Sequence, residues 1–259
     1  MIEGMPAPDP AVRILEDPAA VAREAARRFA AAAARAVDGS SGLRVALAGG
    51  RTPLETYRLL ARDDTFRYSV HWPSVEFFWG DERFVPADHP DSNYRAARET
   101  LLDPLGISPA QVHPIPTDTV DAAAAADAYQ RLLAALFGSR PAPRLDLVLL
   151  GLGTDGHTAS LFPGSLPPDE GRWVAATRNP ADGSARITLT PETLRAAREV
   201  VFLVCGSEKA VALERTLRAK EPDPALPGSL LGRPGAKIRW IVDRAAAARI
   251  AEPPGGEEG

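Results

Sequence analysis

The sequence of 259 residues contains little cysteine, methionine or aromatic side chain, and its only cysteine is Cys205. A single cysteine excludes an internal disulfide. It therefore excludes the small secreted scaffolds that disulfides hold together, and also zinc sites built from several cysteines. No run of apolar residues reaches the roughly 18 that predict a membrane-spanning helix. The formal net charge is −4, so no overall positive charge attracts nucleic acid or an anionic membrane.

These absences indicate a globular protein whose partners are small molecules. A chain of this length buries roughly three quarters of its unfolded surface, so its core needs no metal or disulfide. Residues 1–20 carry scattered charges and lack the apolar centre of a targeting signal. We therefore expect a cytoplasmic protein that binds neither nucleic acid nor a membrane. A local basic pocket would still allow an anionic substrate.

The chain alternates short apolar runs with helical patterns. Strands are predicted at Leu43–Ala48, Val75–Trp79, Leu145–Leu150, Val200–Cys205 and Ile238–Val242, with a weaker edge strand at Arg186–Thr190. Helices are predicted at residues 18–37, 53–62, 92–102, 121–136, 191–198, 208–219 and 243–250. Nearly continuous apolar strands that alternate with helices are typical of a parallel sheet covered on both faces. The sequence therefore predicts an α/β fold with three α/β/α layers and a mostly parallel, Rossmann-like sheet.

The organisation along the chain predicts one domain. It covers residues 11–250, and residues 1–10 and 251–259 are expected to be flexible tails. Three polar residues are predicted to cap helices. Thr52 precedes Pro53 and can form a capping box with Glu55, Thr190 precedes another proline, and Ser207 follows a strand.

The first polar segment after a strand contains Gly49, Gly50, Arg51 and Thr52. In open α/β sheets ligands bind beyond the carboxyl ends of the strands, where helix N-termini also point. The two glycines allow a ligand to come close to the backbone. The N–H groups of the following helix, the Thr52 hydroxyl and the Arg51 guanidinium could hold a phosphate. The segment matches neither the Walker loop nor the dinucleotide fingerprint. An ordinary strand-to-helix turn remains the alternative.

The second segment contains Asp81, Glu82 and Arg83, with Asn93 further along the chain. Two carboxylates beside an arginine can shift each other's pKa and take part in catalysis. The structural alternative is a solvated turn with a salt bridge.

The third segment is rich in glycine and contains Gly153, Asp155 and His157. Histidine is the side chain best suited to proton transfer near neutral pH, and the acidic, glycine-rich context favours catalysis over a core histidine. Backbone N–H groups between Gly153 and Gly156 are candidates to stabilise an oxyanion.

The fourth segment places Lys209 in the first turn of a predicted helix. A cation at this end opposes the helix dipole, and a bound anion would explain it. The alternative is a long side chain that extends into solvent.

Together these segments resemble the 6-phosphogluconolactonase family, within the wider glucosamine-6-phosphate isomerase/deaminase-like group. The matching stretches are LAGGRTP, FFWGDERFVPADHPDSNY, LLGLGTDGHTASLFPG, RITLTPETLRAAREVVFLVCGSEKA and IRWIVDRAAA. The resemblance implies a three-layer α/β fold and hydrolysis of 6-phospho-D-glucono-1,5-lactone to 6-phosphogluconate, a step of the oxidative pentose phosphate pathway. The sequence contains no clustered set of His, Cys and carboxylate ligands and no nucleotide loop, so we expect no metal and no cofactor. The expected partner is a sugar-phosphate lactone, and the expected state is a monomer or weak homo-oligomer.

The resemblance also assigns roles to residues. It implies that His157 is the catalytic acid/base with Asp155 beside it, and that Arg83 and Asn93 position the substrate. The remaining substrate- and phosphate-binding residues that it implies are Gly49, Gly50, Arg51, Thr52, Asp81, Gly153, Arg186 and Lys209.

Two alternative functions remain open at this stage. One is a glucosamine-6-phosphate deaminase or isomerase on the same scaffold. That family has a tyrosine at the position of Arg83 and a glutamate at the position of Phe162. Phenylalanine cannot transfer a proton, so this chain lacks the group that the glutamate supplies. The other is a non-catalytic phosphosugar-sensing domain, although the chain contains no additional basic helix-turn-helix.

Overall fold

The computed structural model describes residues 11–38, 42–138, 142–167, 171–232 and 237–250. Both predicted tails lie outside these residues, and the predicted domain boundary stays a prediction. The strands are β1 (Val12–Leu15), β2 (Leu43–Leu47), β3 (Val75–Trp79), β4 (Asp81–Arg83), β5 (Leu147–Leu150), β6 (Val174–Arg178), β7 (Ala185–Leu189), β8 (Glu199–Val204) and β9 (Lys237–Asp243).

The helices cover much of the remaining described chain. They are α1 (Pro18–Asp38), α2 (Arg51–Arg62), α3 (Asp64–Arg67), α4 (Asn93–Ala97), α5 (Asp103–Leu105), α6 (Ala122–Phe137), α7 (Pro191–Arg195) and α8 (Ala210–Arg218). A π-helical stretch, Arg98–Leu102, joins α4 to α5. Short 3₁₀ helices cover Trp72–Ser74, Pro109–Gln111, Ser207–Lys209, Pro227–Leu231 and Ala246–Arg249. None of the helices in the described part of the chain is long and apolar enough to span a bilayer.

Six strands form a parallel central sheet in the order β1-β9-β8-β5-β2-β3, with helices on its faces. Every residue of β5 and β8 is buried, as expected for apolar strands covered on both sides. The predicted α/β fold with a mostly parallel sheet is therefore confirmed. Since all six strands run the same way, their carboxyl ends lie along one edge of the sheet.

A second, antiparallel sheet lies beside this edge and was not predicted. Its order is β4-β7-β6. The strand predicted at Arg186–Thr190 is β7, Ala185–Leu189, and it is the central strand of this sheet. The expectation that it lies at an edge is therefore wrong, because β4 and β6, which were not recognised as strands, pair with it on both sides.

Helix capping differs from the prediction at two of three positions. Thr190 caps α7, since its side chain accepts a hydrogen bond from the N–H of Thr193. The predicted cap and capping box at Thr52 are wrong: α2 begins at Arg51 after Gly50, whose φ of 100° turns the chain, and no side chain caps it. The cap at Ser207 is also wrong, because Gly206 precedes the 3₁₀ turn.

The helix predicted at residues 243–250 is only a 3₁₀ turn over Ala246–Arg249. Asp243 ends β9 instead, and its carboxylate accepts hydrogen bonds from the N–H groups of Gly206 and Ala246. This buried carboxylate therefore joins the ends of β8 and β9.

Candidate active site

A cleft of about 620 Å³ opens at the carboxyl edge of the parallel sheet and extends along the antiparallel sheet. Most of the predicted site residues line it. They are Gly49, Gly50, Asp81, Arg83, Asn93, Gly153, Asp155, His157, Arg186 and Lys209. Segments that are up to about 160 positions apart in the chain thus meet in one cleft, as the strand-end argument predicts.

Two buried tyrosines fix the strand ends that lead into the cleft. The hydroxyl of Tyr57 accepts from the N–H of Ala48 and donates to its carbonyl, at 3.0 and 2.8 Å. The hydroxyl of Tyr129 bonds the N–H and carbonyl of Trp79 in the same way, at 3.1 and 3.3 Å. Burial raises the pKa of both phenols, so each hydroxyl remains protonated and can serve as donor and acceptor.

Asp155 and His157 form a hydrogen-bonded pair. Nδ1 of His157 lies 2.6 Å from Oδ1 of Asp155, and the same oxygen accepts the backbone N–H of His157 at 3.1 Å. Burial acts to raise the pKa of Asp155, but these hydrogen bonds and the charge of His157 outweigh it and lower the pKa overall. The carboxylate is therefore ionised at neutral pH and can only accept, so Nδ1 carries the proton. Nε2 keeps its lone pair available as a base.

The turn that carries this pair depends on glycine. A Cβ on Gly153 would lie 2.1 Å from Nδ1 of His157 and 2.5 Å from Oδ1 of Asp155. The N–H of Gly153 donates to the carbonyl of His157 at 2.8 Å, and that of Gly156 donates to the carbonyl of Gly153 at 3.1 Å. These two N–H groups are therefore engaged within the turn. An oxyanion site in this segment would use the N–H groups of Thr154 and Asp155 instead, and it stays a prediction.

Asp81 is a second carboxylate of the cleft, and a buried serine holds it. The hydroxyl of Ser160 lies 2.6 Å from Oδ2 of Asp81. The side-chain amide of Asn93 donates to the Asp81 carbonyl at 3.0 Å. A Cβ on Gly49 would lie 1.9 Å from Oδ1 of Asn93, so only glycine fits there without displacing the amide. Asp81, Asn93 and the glycine turn are thus positioned together.

Glu82 points away from the cleft and supports it from behind. Its buried carboxylate accepts the N–H groups of Arg83, Asn93 and Tyr94 at 2.7–2.8 Å and the hydroxyl of Ser92 at 3.1 Å. Burial raises its pKa, and the three N–H donors oppose that shift. The carboxylate is buried, so the alternative of a solvated turn with a salt bridge does not apply to Glu82. Its oxygens are engaged by these four donors, so a catalytic role does not fit either. Its carboxylate ties β4 to the start of α4.

Arg83 and Arg186 face each other across β4 and β7 as direct antiparallel partners. Like charges placed opposite each other in a sheet are unfavourable. Arg186 is mostly buried; burial first and the charge of Arg83 second lower its pKa. Its buried Nε has no hydrogen-bond partner among the described residues. A bound anion would reduce the repulsion between the two guanidinium groups and would accept a hydrogen bond from Nε of Arg186.

Lys209 is the third cation that lines the cleft. It ends the 3₁₀ turn after β8 and directly precedes α8, and its side chain lines the cleft. The turn is fixed by Gly206, whose φ is 99° and whose N–H donates to the Asp243 carboxylate. The predicted position of Lys209 at the start of a helix is therefore confirmed.

Two predicted site residues do not line the cleft. Arg51 is exposed at the first position of α2. The Thr52 side chain acts to lower the pKa of the Cys205 thiol, but burial outweighs it and raises that pKa to about 11. A role of either residue in binding phosphate stays a prediction.

Sequence reasoning missed several residues that do line the cleft, among them Ser160 and Asn179. Phe162, which the sequence singled out only against the deaminase alternative, lines it as well. The ring centroids of Phe162 and His157 lie 5.0 Å apart, so the two side chains are in contact in the cleft. Ala159 has a φ of 47°, unusual for a residue with a side chain, and directly precedes Ser160. Ser160 and Asp81 are 79 positions apart, and no local pattern signals such a contact.

The described residues contain no cluster of three or more histidine, cysteine, aspartate or glutamate side chains placed to hold a metal ion. The ionic groups of the cleft are instead one histidine–carboxylate pair, Asp81, and the three cations Arg83, Arg186 and Lys209. Such a set suits an anionic substrate and proton transfer.

Comparisons with known proteins agree with this chemistry. The family model of glucosamine-6-phosphate isomerases/6-phosphogluconolactonase matches residues 16–240. The 6-phosphogluconolactonase of Synechocystis sp. is 40% identical over 208 residues, 80% of this chain and 84% of the relative. That of Mycobacterium leprae is 36% identical over 247 residues, 92% of this chain and 98% of the relative.

A solved structure, the 6-phosphogluconolactonase from Trypanosoma cruzi, is similar with a TM-score of 0.81 and 30% identity. The similarity covers 94% of this chain and 97% of that one, so it includes both sheets and the cleft between them. The chain therefore belongs to the family of glucosamine-6-phosphate isomerases and 6-phosphogluconolactonases.

Proposed function

We propose that this protein hydrolyses 6-phospho-D-glucono-1,5-lactone to 6-phosphogluconate by water attack that His157 assists. That the chain is an enzyme of the lactonase class follows from its family and from relatives that are 34–40% identical over most of its length. The proposal concerns the substrate and the mechanism. The observation that carries it is the 2.6 Å contact of Asp155 with Nδ1 of His157 in a cleft lined by three cations.

The histidine pair supplies the general base. Because Asp155 holds the proton on Nδ1, Nε2 of His157 can accept a proton from water as the water oxygen attacks the lactone carbonyl carbon. The bond from that carbon to the ring oxygen then breaks, and the imidazolium returns its proton to the departing oxygen. The products are a free hydroxyl and a carboxylic acid, which ionises in solution. A lactone is an activated ester, so no covalent nucleophile is needed.

The cations position the substrate. We assign the phosphate to Lys209 and Arg186, since a buried guanidinium with an unsatisfied Nε and a lysine beside a glycine turn are suited to bind it. We assign the sugar ring to Arg83, Asn93 and Asp81, which line the same cleft. Fixing both ends keeps the carbonyl carbon close to the activated water.

The nearest rival, a glucosamine-6-phosphate deaminase, needs a proton-transferring side chain where this chain has Phe162. That ring lies 5.0 Å from the His157 ring and lines the cleft, where it can shape the site but cannot carry a proton. We therefore expect no deamination.

The direct test is acid release on adding freshly made 6-phosphogluconolactone, corrected for spontaneous hydrolysis, with ammonia release from glucosamine 6-phosphate measured in parallel. Catalysed acid release without ammonia release supports the proposal. Ammonia release without lactone turnover would assign the rival activity, and neither activity would favour a sensing domain.

A further inference from the structure

Ser160 lies in the wall of the catalytic cleft, where three hydrogen bonds hold it. The residue is only 2% exposed although it lines the cleft. Its N–H donates to Oγ1 of Thr188 at 3.3 Å, and its carbonyl accepts from the hydroxyl of Thr177 at 2.9 Å. Its own hydroxyl donates to Oδ2 of Asp81 at 2.6 Å. The backbone of Ser160 is therefore held by β6 and β7, and its side chain reaches β4.

These contacts close a ring of three residues across the antiparallel sheet. Thr188 on β7 and Asp81 on β4 are direct antiparallel partners. Thr188 accepts the N–H of Ser160, and Ser160 donates its hydroxyl to Asp81. Because the backbones of Asp81 and Ser160 are both anchored at Thr188, the sheet sets the distance between their side chains.

The turn that carries Ser160 also carries the proposed base. His157 precedes Ser160 by three positions, and Ala159 lies between them with a φ of 47°, which is unfavourable for a residue that has a Cβ. The hydrogen bonds of Ser160 to β6 and β7 hold the turn in this conformation. One turn thus places the base in the cleft and, through Ser160, contacts the Asp81 carboxylate.

The bond to Ser160 leaves one oxygen of Asp81 for a ligand. Among the described residues, Ser160 is the hydrogen-bond donor to the Asp81 carboxylate, and it occupies Oδ2. Asn93 donates to the backbone carbonyl of Asp81 instead. The remaining oxygen, Oδ1, belongs to a side chain that lines the cleft. A carboxylate repels phosphate and accepts hydrogen bonds, so its partner on a sugar phosphate is a hydroxyl group.

We propose that Ser160 is a positioning residue that directs Oδ1 of Asp81 toward one ring hydroxyl of the substrate, and so makes the enzyme selective for a lactone that carries this hydroxyl. The inference rests on the proposed function, whose substrate has ring hydroxyls at C2, C3 and C4. In this role Ser160 contacts no reacting atom. Without its hydroxyl the Asp81 carboxylate is free to turn, and the substrate loses a preorganised acceptor.

The variant Ser160→Ala removes the hydroxyl without adding volume. A hydrogen bond that is the same in the bound substrate and in the transition state affects KM and leaves kcat unchanged. We expect KM for 6-phosphogluconolactone to rise about tenfold, the lower end of what a hydrogen bond to a charged group contributes, because Asp81 itself remains. The pH profile of kcat should stay that of wild type, since His157 is unchanged.

The decisive measurement uses three lactones that each lack one ring hydroxyl. For the analogue without the hydroxyl that Asp81 binds, Ser160→Ala should change kcat/KM less than about twofold, while the parent and the other two analogues lose about tenfold. The matched control is Thr158→Val, which removes another buried hydroxyl from the same turn, one that donates to the Gly151 carbonyl at 2.9 Å. Its effect should be the same factor for every lactone.

Three kinetic outcomes would overturn the proposal. Equal losses of kcat/KM for the parent and all three analogues in Ser160→Ala would make the role of Ser160 structural. Loss of turnover with every lactone would make Ser160 a reacting group, and wild-type kinetics would show that it has no role.

Calorimetric binding of 6-phosphogluconate needs no turnover, so it separates this proposal from the proposed function. A wild-type protein that binds 6-phosphogluconate and does not hydrolyse the lactone would refute the proposed function alone. A Kd about tenfold higher in Ser160→Ala, beside a change of less than about twofold in Thr158→Val, supports the positioning role. Equal Kd values for wild type and Ser160→Ala, or no binding by the wild type, would refute it.

Discussion

Replacing Glu82 by glutamine perturbs the support behind the cleft while leaving the cleft surface unchanged. The carboxylate offers two oxygens to three backbone N–H groups and one hydroxyl, and glutamine offers one oxygen and an NH₂ group. The best arrangement keeps the oxygen toward Arg83 and Asn93. The NH₂ group then faces Ser92, whose hydroxyl can rotate to accept, and Tyr94, whose N–H cannot.

The structure gives the size of the effect. A buried N–H left without an acceptor costs about 1–3 kcal/mol, and the two remaining hydrogen bonds lose their charge assistance. Relief from burying a charge offsets part of this loss, so we expect the free energy of unfolding to fall by about 1–3 kcal/mol. For a chain of this length each kcal/mol lowers Tm by roughly 2–4 °C. Turnover should fall as well, because Arg83 and Asn93 lose their shared anchor.

Thermal unfolding followed by circular dichroism measures this, with Glu99→Gln as the control, since Glu99 is exposed and its ion pair within the described residues is with Arg95 on the helix surface. Steady-state kinetics of both variants should be recorded well below Tm. An unchanged Tm in Glu82→Gln, or a drop equal to that of the control, would refute the role assigned to Glu82.

The same variant isolates a pH dependence. Burial raises the pKa of Glu82 above its ordinary value of 4.5, so the folded protein holds this proton to higher pH than the unfolded chain. Within that window the folded state binds more protons, and the contribution of Glu82 to stability is lost as pH rises. The stability advantage of wild type over Glu82→Gln should therefore shrink as pH rises above 4.5. A stability advantage of wild type that grows as pH rises would contradict this prediction.

Three further changes test the cleft itself. Lys209→Ala should lower kcat/KM for the phosphorylated lactone about 10- to 150-fold and affect unphosphorylated gluconolactone much less; equal losses would show that Lys209 does not bind the phosphate. Asp155→Asn should lower kcat about 10- to 100-fold, as for other groups that orient a histidine, and shift its pH profile; an unchanged profile would exclude that role. Gly49→Ala places a Cβ 1.9 Å from Oδ1 of Asn93, so kcat/KM should fall roughly tenfold by displacing the amide, and wild-type kinetics would refute that contact.

The fold was predictable where burial is complete. β5 is apolar over its whole length, and β3 and β8 are apolar except for Glu76 and Glu199, because both faces of the sheet are covered. This pattern identifies the three strands without any partner. β4 and β6 were missed because both are partly exposed and β4 has only three residues, so their sequences resemble loops. Their place in a sheet comes from pairing with β7, which local sequence does not encode.

The candidate site was predictable to a similar degree and for a related reason. Polar residues directly after apolar strands, such as His157 and Lys209, can be placed at one sheet edge by topology alone. Ser160 could not be placed, because its contact with Asp81 depends on how two distant turns pack. Asp81 and Glu82 are adjacent in sequence, but successive side chains of a strand point to opposite faces. Asp81 therefore lines the cleft, and Glu82 lies behind it.

The most direct test of the mechanism is kcat of His157→Asn for 6-phosphogluconolactone, corrected for spontaneous opening, beside His71→Asn as the control on an exposed turn. Asparagine keeps polarity but cannot serve as the base, so kcat should fall by about 10²–10⁴, with KM little changed. The control should retain wild-type kinetics, and circular dichroism should show both variants folded. A folded His157→Asn protein with near wild-type kcat would remove His157 from the mechanism and leave Asp81 as the next candidate base.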